Sequence, residues 1–529
     1  MQNHFNLVDE PWIPIADHGL VSLKEVFSNT QYRSLGGNPV QKIALLKLLL
    51  AVAQSAATPA NESEWRDLGS EGLAQRCLAY LDRWYERFYL YGDRPFLQIP
   101  AVSDLIDART RKKVAETKSA AKKAEAILSG RPKKLGAAFY PDMPSLNCTV
   151  LSHTLIDRVL TDAEKAIFLV SLMNFAFAGK RVEADMTSLG GRPMGSRYSA
   201  PAGPSLGGWN GQLHSFLHTG SIQSDVWLNL LSTAQIESLK VWPTGIGKPI
   251  WELMPNAEND DITEEYKYSY LSTLVSLSRF TLLSDSGIYY LDGINYPSIK
   301  NGWYEPSLLL DHSGVQVRTK YADPARKPWR ELDGLLAFLD GSSAQGFNCF
   351  TLSNMLNRAR DNFCEFSIWI GGLKVTSNTG DQSVKQSDDF VESQVWLEGE
   401  ALGEAWLAQL KIEMAQLNSL SDGLKHAVKD YFKIFSNWKK GDKEPPLVRS
   451  MGESSTSMFW QLCESDFQTL VDNCEQTDIA VMQRRKIRKR FAGFVQQAYD
   501  QFCPRETARQ LDAWAKCRPN NSNYLKQEA

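Results

Sequence analysis

Few residues in this chain have the types and spacing that catalysis or metal binding needs. His214 and His218 lie four residues apart in "LHSFLHTG", a spacing that could place two metal ligands on one helix face. We favour the simpler interpretation, that they are strand or turn histidines with no third ligand nearby. The acidic clusters Asp260–Glu265 and Asp388–Asp389 could also hold a metal, and we interpret them as solvated loop charge.

The familiar sequence motifs of enzymes are missing. The chain contains no phosphate-binding loop, no H-E-x-x-H and no G-x-S-x-G. Its eight cysteines include no C-x-x-C pair, which argues against a zinc site or a disulfide framework and favours buried, reduced thiols. We therefore predict no catalytic residue, no metal and no cofactor.

Two kinds of segment favour binding instead. Ser188–Gly211 holds seven glycines and three prolines in 24 residues, and glycine lets a backbone approach a ligand closely. Arg109–Lys134 carries ten Lys or Arg against two Glu, and "RRKIRKR", Arg484–Arg490, has six basic residues in seven. Such runs favour a polyanionic partner, although the net charge of the whole chain is −3. The alternatives are glycines that only serve turns and basic residues that only face solvent.

Hydrophobic periodicity predicts the elements that carry these segments. Helices are expected over 40–56, 72–91 and 161–177, the last with Thr161 as N-cap and Glu164 three residues later. Arg109–Lys134 is interpreted as an exposed helix or a mobile loop. The short apolar runs of Tyr266–Val317, punctuated by Gly, Asp and Asn, predict strands and hairpins.

The last third of the sequence has a different texture. Long helical periodicity with few glycines predicts helices at 398–417, 420–438, 456–475, 478–502 and 504–516. We therefore predict a mixed α/β (α+β) N-terminal domain, residues 1–385, followed by an all-α four-helix bundle, residues 386–529.

The N-terminus opens with "FNLVDEPWIP", Phe5–Pro14. Its prolines exclude a helix interior, so the segment is expected to be extended, with Trp12 packed against the fold. No apolar run approaches the roughly 20 residues that span a bilayer, and the longest, Ile43–Ala53, is interrupted by Lys47. Without a signal peptide, the expected location is cytoplasmic.

These stretches together resemble the CasA-type large subunit of the type I-E CRISPR surveillance complex, Cascade. "FNLVDEPWIP" is similar to the start of that family. "YGDRPFLQ" (Tyr91–Gln98), "SLGGWNGQLHSFLHTGSIQSDVWLNLL" (Ser205–Leu231) and "WIGGLKV" (Trp369–Val375) follow in the family's order. The chain length and the C-terminal helices also match.

The resemblance implies a non-catalytic protein that reads a protospacer-adjacent motif (PAM) in duplex DNA. Such a protein helps open the duplex for crRNA pairing and recruits a helicase–nuclease. The implied partners are the crRNA-containing Cascade subunits, double-stranded target DNA and that helicase–nuclease, with no membrane. The PAM or DNA contacts it implies are Ala202, Gly203, Lys300, the wedge residues Thr376, Ser377 and Asn378, and Leu146 and Asn147.

For the basic stretch of the C-terminal helices we expect contacts to DNA phosphates. The residues in question are Arg484, Arg485, Lys486, Arg488 and Lys489. The alternative hypothesis is a free-standing metal-dependent hydrolase of unfamiliar type, using Asp260, Asp261 and His214.

Overall fold

The chain divides into two compact units. The computed structural model describes residues 3–135, 159–179, 189–190, 200–340, 347–378, 380–385, 388–436 and 444–526. The N-terminal unit comprises Met1–Pro328, Phe347–Ala359 and Ile368–Gln394, and the helical unit comprises Trp329–Gly346, Arg360–Ser367 and Val395–Ala529. The predicted domain division after residue 385 stays a prediction.

Helices account for most of the regular structure in the described part of the chain, where seventeen α-helices are found. The first twelve are α1 (Leu23–Ser28), α2 (Pro39–Ala56), α3 (Glu62–Arg83), α4 (Ala101–Glu116), α5 (Ala120–Ser129), α6 (Asp162–Phe175), α7 (Ile222–Leu228), α8 (Thr233–Leu239), α9 (Asp261–Lys267), α10 (Leu271–Leu274), α11 (Leu332–Leu335) and α12 (Phe350–Asn362). The remaining five are α13 (Glu404–Ser436), α14 (Pro446–Asp472), α15 (Asp478–Phe502), α16 (Ala508–Cys517) and α17 (Ser522–Lys526).

The strands form small sheets. They are β1 (His4–Asn6), β2 (Ile13–Ile15), β3 (Gly19–Val21), β4 (Tyr89–Tyr91), β5 (Leu213–His218), β6 (Arg279–Ser284), β7 (Gly287–Asp292), β8 (Leu310–Asp311), β9 (Arg318–Thr319), β10 (Phe347–Asn348), β11 (Glu365–Leu373), β12 (Thr376–Asn378), β13 (Asp381–Ser383) and β14 (Phe390–Glu398). Two sheets have three strands, in the orders β14-β11-β5 and β10-β8-β9. The others are the pairs β1-β4, β2-β3, β6-β7 and β12-β13.

The N-terminal segment is extended and held by its tryptophan, as predicted. Strand β1 pairs antiparallel with β4, and β2 with β3. Trp12 is fully buried, and its Nε1 donates a 2.9 Å hydrogen bond to the carbonyl of Leu7. The two prolines that flank Trp12 thus keep the chain extended, while the indole packs in the core.

Helix α2 is the central helix of the N-terminal unit. It begins at Pro39, with the Asn38 side chain accepting from the Gln41 amide, and most of its length is buried. By length and apolar composition it could cross a membrane, but 72% of it is buried inside the protein, as in a core helix. The one cation in its centre, Lys47, is 1% exposed and belongs to a polar network described below.

Two helix predictions for the N-terminal part are confirmed in existence and differ in their bounds. Helix α6 starts behind the predicted Thr161 cap, and Glu164 completes a capping box. The helix predicted over 72–91 matches the part of α3 that follows a break at Gly69 (φ +61°, ψ 171°); it ends at Arg83, and strand β4 comes after it. The part of α3 before this break begins behind Asn61, whose side chain accepts from the amides of Ser63 and Glu64.

The basic segment Arg109–Lys134 is largely helical. It runs through the second half of α4 and the whole of α5, and most of its lysines and arginines are exposed. Of the two interpretations offered by the sequence, the exposed helix therefore matches the structure.

The C-terminal region is helical, as predicted, whereas the exact four-helix bundle stays a prediction. Helix α13 is continuous where the sequence suggested two helices, because buried Leu410, Met414, Leu417 and Leu424 keep one apolar stripe across the expected break. The helix expected from residue 398 begins at Glu404, and Phe390–Glu398, inside the region predicted to be all-α, forms β14. No strand follows β14 in the part of the chain that the structure describes.

Candidate nucleic-acid interface

The glycine-rich loop, by which we mean the described residues 200–211 of the segment Ser188–Gly211, packs against the end of α6. The Gly203 amide donates to the carbonyl of Ala176 at 2.7 Å, and the Ser205 amide donates to that of Asn174 at 3.1 Å. A Cβ at position 203 would lie 2.3 Å from the Asn174 carbonyl oxygen. Gly203 is therefore needed for this close approach, and it is buried. That Gly203 contacts DNA stays a prediction, and its neighbour Ala202 is partly exposed.

The predicted wedge forms a two-stranded hairpin. Thr376 pairs with Ser383, Ser377 with Gln382, and Asn378 with Asp381. Ser377 is partly exposed, and Asn378, at the end of its strand, is exposed.

The base of this hairpin is fixed by a buried carboxylate. The Thr376 hydroxyl donates to Asp388 Oδ2 at 2.7 Å, and the Lys385 amide donates to the same oxygen at 2.8 Å. Asp388 is 3% exposed, so its role is to hold the hairpin rather than to carry solvated charge.

Gln382 joins the hairpin to the glycine-rich loop. Its Nε2 donates to the carbonyls of Gly207 and Trp209, at 2.8 and 3.0 Å, while its Oε1 accepts from the Ala178 amide at 2.9 Å. The side chain is 1% exposed. An amide supplies two donors and one acceptor, and all three are used here. The loop and the wedge, about 170 residues apart in sequence, are thus adjacent in the fold.

Lys300 stands apart from these two elements. It lies on the 3₁₀ turn Ile299–Asn301 and is exposed. Among the described residues it makes no hydrogen bond or ion pair with the loop or the hairpin. One cation that does reach the loop is Arg279 in β6, whose guanidinium donates to the carbonyls of Phe177 and Pro201 at 2.8 Å. Leu146 and Asn147 lie outside the described residues.

A buried polar network lies behind the loop. Lys47 Nζ donates to Glu305 Oε2 and to the Ser205 hydroxyl, each at 2.7 Å, and that hydroxyl donates to Glu305 Oε1 at 2.8 Å. Both charged side chains are at most 1% exposed. Burial lowers the pKa of Lys47, and the nearby Glu305 carboxylate opposes that shift. The sequence had offered Lys47 only as an interruption of an apolar run.

His214 belongs to the same network. Its Nε2 lies 2.8 Å from the Ser205 carbonyl, which can only accept, so the proton resides on Nε2; Nδ1 then accepts from the Ser307 hydroxyl at 3.0 Å. Burial lowers the pKa of His214 to about 4, although Glu305 opposes this. The histidine is thus neutral at pH 7 and serves packing, as the favoured interpretation held.

The other candidates for metal binding also have structural partners. His218 pairs with Asp225, and this carboxylate raises the pKa of the histidine against the effect of burial. Asp260 caps α9 by accepting from the amides of Thr263 and Asn256 at 2.8 and 2.7 Å. No group of three His, Cys, Asp or Glu is placed to hold a metal among the residues described.

The basic stretch of α15 divides into two sets. Arg484 and Arg488 are buried beside Glu413 of α13: Arg488 Nε donates to Glu413 Oε2 at 3.1 Å, and Arg484 Nε lies 3.9 Å from Oε1. Arg484 also donates to the carbonyls of Asn473 and Glu475. The expectation that these two arginines contact phosphates is therefore wrong, because their charge is used inside the helical unit. Arg485, Lys486 and Lys489 are exposed on the opposite face.

Comparisons with known proteins agree over nearly the full length. The family model described as CRISPR-associated protein Cse1 matches residues 6–498. Crystal structures of CasA from Thermus thermophilus and of Cse1 from Thermobifida fusca are similar to this chain, with TM-scores of 0.67 and 0.68 at 18% and 19% identity. The alignments cover 99% of this chain and 99% and 98% of those chains.

A chain of a structure named a CRISPR RNA-guided surveillance complex is also similar, with a TM-score of 0.60 at 16% identity. That alignment covers 97% of this chain and 98% of the other. The comparison with curated proteins gave no match. At these identities the structural likenesses establish the fold.

Proposed function

The chain belongs to the family of CRISPR-associated protein Cse1, and from this premise we propose that it is the large subunit of a type I-E RNA-guided surveillance complex. In this role it reads the PAM in duplex DNA and helps open the duplex for crRNA pairing. The observation that carries the proposal is the family match over residues 6–498. The fold shared with a chain of a surveillance complex supports it.

The contact between loop and hairpin supports a shared role for these two elements in DNA binding. Gln382 fixes the hairpin beside the glycine-rich loop, so both could engage the same end of a duplex. The minor groove is only about 6 Å wide, which suits the small Ala202 and main-chain groups on the loop. Asn378, exposed at the tip of the hairpin, is the wedge residue best placed to meet the first base pair.

The proposal extends to partners and location. The subunit acts with crRNA-containing Cascade subunits, recruits a helicase–nuclease and works in the cytoplasm, without catalysis or a cofactor of its own. Sequence recognition beyond the PAM is left to base pairing. The hydrolase alternative loses support, because His214 is enclosed and Asp260 caps a helix.

R-loop formation by the assembled complex tests this role. On matched targets with varied PAMs, Lys300→Ala should reduce discrimination between PAMs. The Thr376/Ser377/Asn378 triple alanine variant should still bind PAM duplex but open it slowly, because opening a base step costs a few kcal/mol. A substitution at Gly203 is unsuitable for this test, because the residue is packed against backbone and a larger side chain there would disturb folding.

Two results would contradict the proposal. The first is an assembled parent complex that opens matched DNA at the same rate whatever the PAM. The second is a chain that, co-expressed with its neighbouring genes, purifies without small RNA or other subunits. A free-standing enzyme predicts that second result.

A further inference from the structure

Trp209 is exposed in an unusual way. Its side chain is 56% accessible, and it is the sole tryptophan among the large apolar side chains found exposed in the described part of the chain. Tryptophan is a costly residue to leave in water, because its ring buries 150–250 Å² when packed. Its neighbours in the sequence "GGWNG" are three glycines and one asparagine, so few side chains next to it in sequence can cover the ring.

The backbone that carries this ring is held firmly. Gln382 donates to the carbonyls of Gly207 and Trp209, and the Val375 amide donates to the carbonyl of Asn210 at 3.0 Å. Gly211 has a φ of +84°, and a Cβ there would lie 1.8 Å from the Leu373 carbonyl oxygen. Because the backbone around Trp209 is fixed by these contacts, little backbone freedom is lost when a ligand packs on the ring.

The backbone of Trp209 lies beside the hairpin that we propose enters the duplex. Gln382, which binds the Trp209 carbonyl, pairs with Ser377 in the register of the two strands. A second aromatic residue, Tyr321, is 40% exposed, and its backbone forms an antiparallel β-bridge with Gln212, three residues beyond the tryptophan. Lys374, at the start of the hairpin segment, adds positive charge to this surface and is only loosely paired with Asp323, at 3.8 Å.

We propose that Trp209 is a stacking platform for an unpaired nucleobase of the target DNA at the point where the duplex opens. The inference rests on the proposed function and deepens it by naming the ligand and the residue that holds it. Every base has a π-face, so stacking on an indole accepts any sequence. A platform of this kind suits the first position beyond the PAM, where sequence is read by the guide. Stabilising one unpaired base favours the open state and therefore speeds opening.

The test uses the assembled complex and a matched duplex with 2-aminopurine at the first protospacer pair. Trp209→Ala should slow opening about tenfold or more, and Trp209→Phe should lie much closer to the parent. Tyr268→Ala is the matched control, because it removes another exposed aromatic ring of the N-terminal unit, 41% accessible, at the end of α9. It should open DNA as the parent does.

The fluorescence of the probe distinguishes stacking from a structural role. In the parent and in Trp209→Phe, the opened 2-aminopurine should stay quenched on the ring, whereas in Trp209→Ala it should brighten. On a target with the first pairs already mismatched, the rate difference between Trp209→Ala and the parent should shrink.

The inference is overturned if the parent opens DNA in a PAM-dependent way and Trp209→Ala matches Tyr268→Ala in rate and probe brightness. It is also overturned if Trp209→Ala mainly lowers incorporation of the subunit into the complex, which would make the ring a protein contact. A parent that shows no PAM dependence would instead count against the proposed function itself.

Discussion

Each of the two units buries a carboxylate, and the two sites are built differently. In the N-terminal unit, Glu305 meets one lysine, a serine hydroxyl and, at 3.7 Å, the neutral His214. In the helical unit, Glu413 meets two arginines that lie one turn apart on a single helix. The first network draws on distant parts of the sequence, whereas the second needs only two helices.

This difference affects what each network can do. The first shares the Ser205 hydroxyl and carbonyl with the loop of the proposed DNA site, so it sets the position of that loop. The second removes two of the six charges of "RRKIRKR" from the surface. A run of basic residues is therefore a poor measure of surface charge until its buried members are known.

The largest expected effect is on the network behind the loop. Glu305→Ala should destabilise the N-terminal unit by about 3–5 kcal/mol, because Lys47 would remain buried without its carboxylate. Hydrogen-exchange protection of the α2 amides, compared with the parent, measures this locally. Glu264→Ala is the matched control, since it breaks a pair with Lys267 in which the carboxylate is 58% exposed, and it should cost less than about 1 kcal/mol.

The double variant Lys47→Met/Glu305→Leu sharpens that comparison. Replacing a buried ion pair with apolar side chains is often neutral, so the double variant should recover most of the protection lost in Glu305→Ala. Failure to recover it would show that the hydrogen bonds with Ser205, rather than the ion pair, hold the loop.

A smaller effect concerns pH. Because burial holds the pKa of His214 at about 4, the folded chain cannot take up the proton that the unfolded chain binds below about pH 6.5. Stability should thus fall as pH drops from about 6.5 towards 4, by about 2 kcal/mol between pH 7 and 5. Above pH 6.5 the group contributes nothing.

His214→Gln isolates this contribution. Glutamine can still donate to the Ser205 carbonyl but does not titrate. The free energy of unfolding of the variant should therefore change less between pH 7 and 5 than that of the parent. The comparison is needed because burial raises the pKa of Asp292 to about 6. The folded chain therefore takes up this proton more readily than the unfolded chain, so Asp292 makes stability rise as pH falls across the same window. Parallel profiles for parent and variant would contradict the assignment of His214.

What the sequence predicts well in this chain is local. The Thr161 cap, the extended N-terminus around Trp12 and the long helix at 478–502 follow from residues close together in sequence, where caps, prolines and periodicity act. The predicted bounds of helices and strands are wrong where tertiary packing determines the secondary structure. An example is β14, in which buried residues alternate with more exposed ones.

The candidate site could be anticipated only in part. Resemblance pointed to the loop and the wedge, but no local pattern indicates that Gln382 joins them. Lys47 looked like a break in an apolar helix, because its partner lies 258 residues away. The resemblance implied a DNA contact at Gly203, and nothing near it in the sequence indicates its close approach to the Asn174 carbonyl. Each of these misses involves a contact between residues distant in sequence.

The smallest expected effect is on the exposed face of α15. Replacing Arg485, Lys486 and Lys489 with alanine should weaken DNA binding of the assembled complex several-fold for any sequence. The dependence of log affinity on log salt should flatten by about 0.9 for each side chain that contacts a phosphate, because fewer counterions are released.

Arg488→Met is the matched control: it removes one positive charge from the same helix but from its buried face. It should lower the stability of the helical unit and leave the slope unchanged. An unchanged slope in the triple variant would show that these three residues only face solvent, whereas a slope changed equally by Arg488→Met would show that the helix as a whole, rather than its exposed face, determines DNA binding.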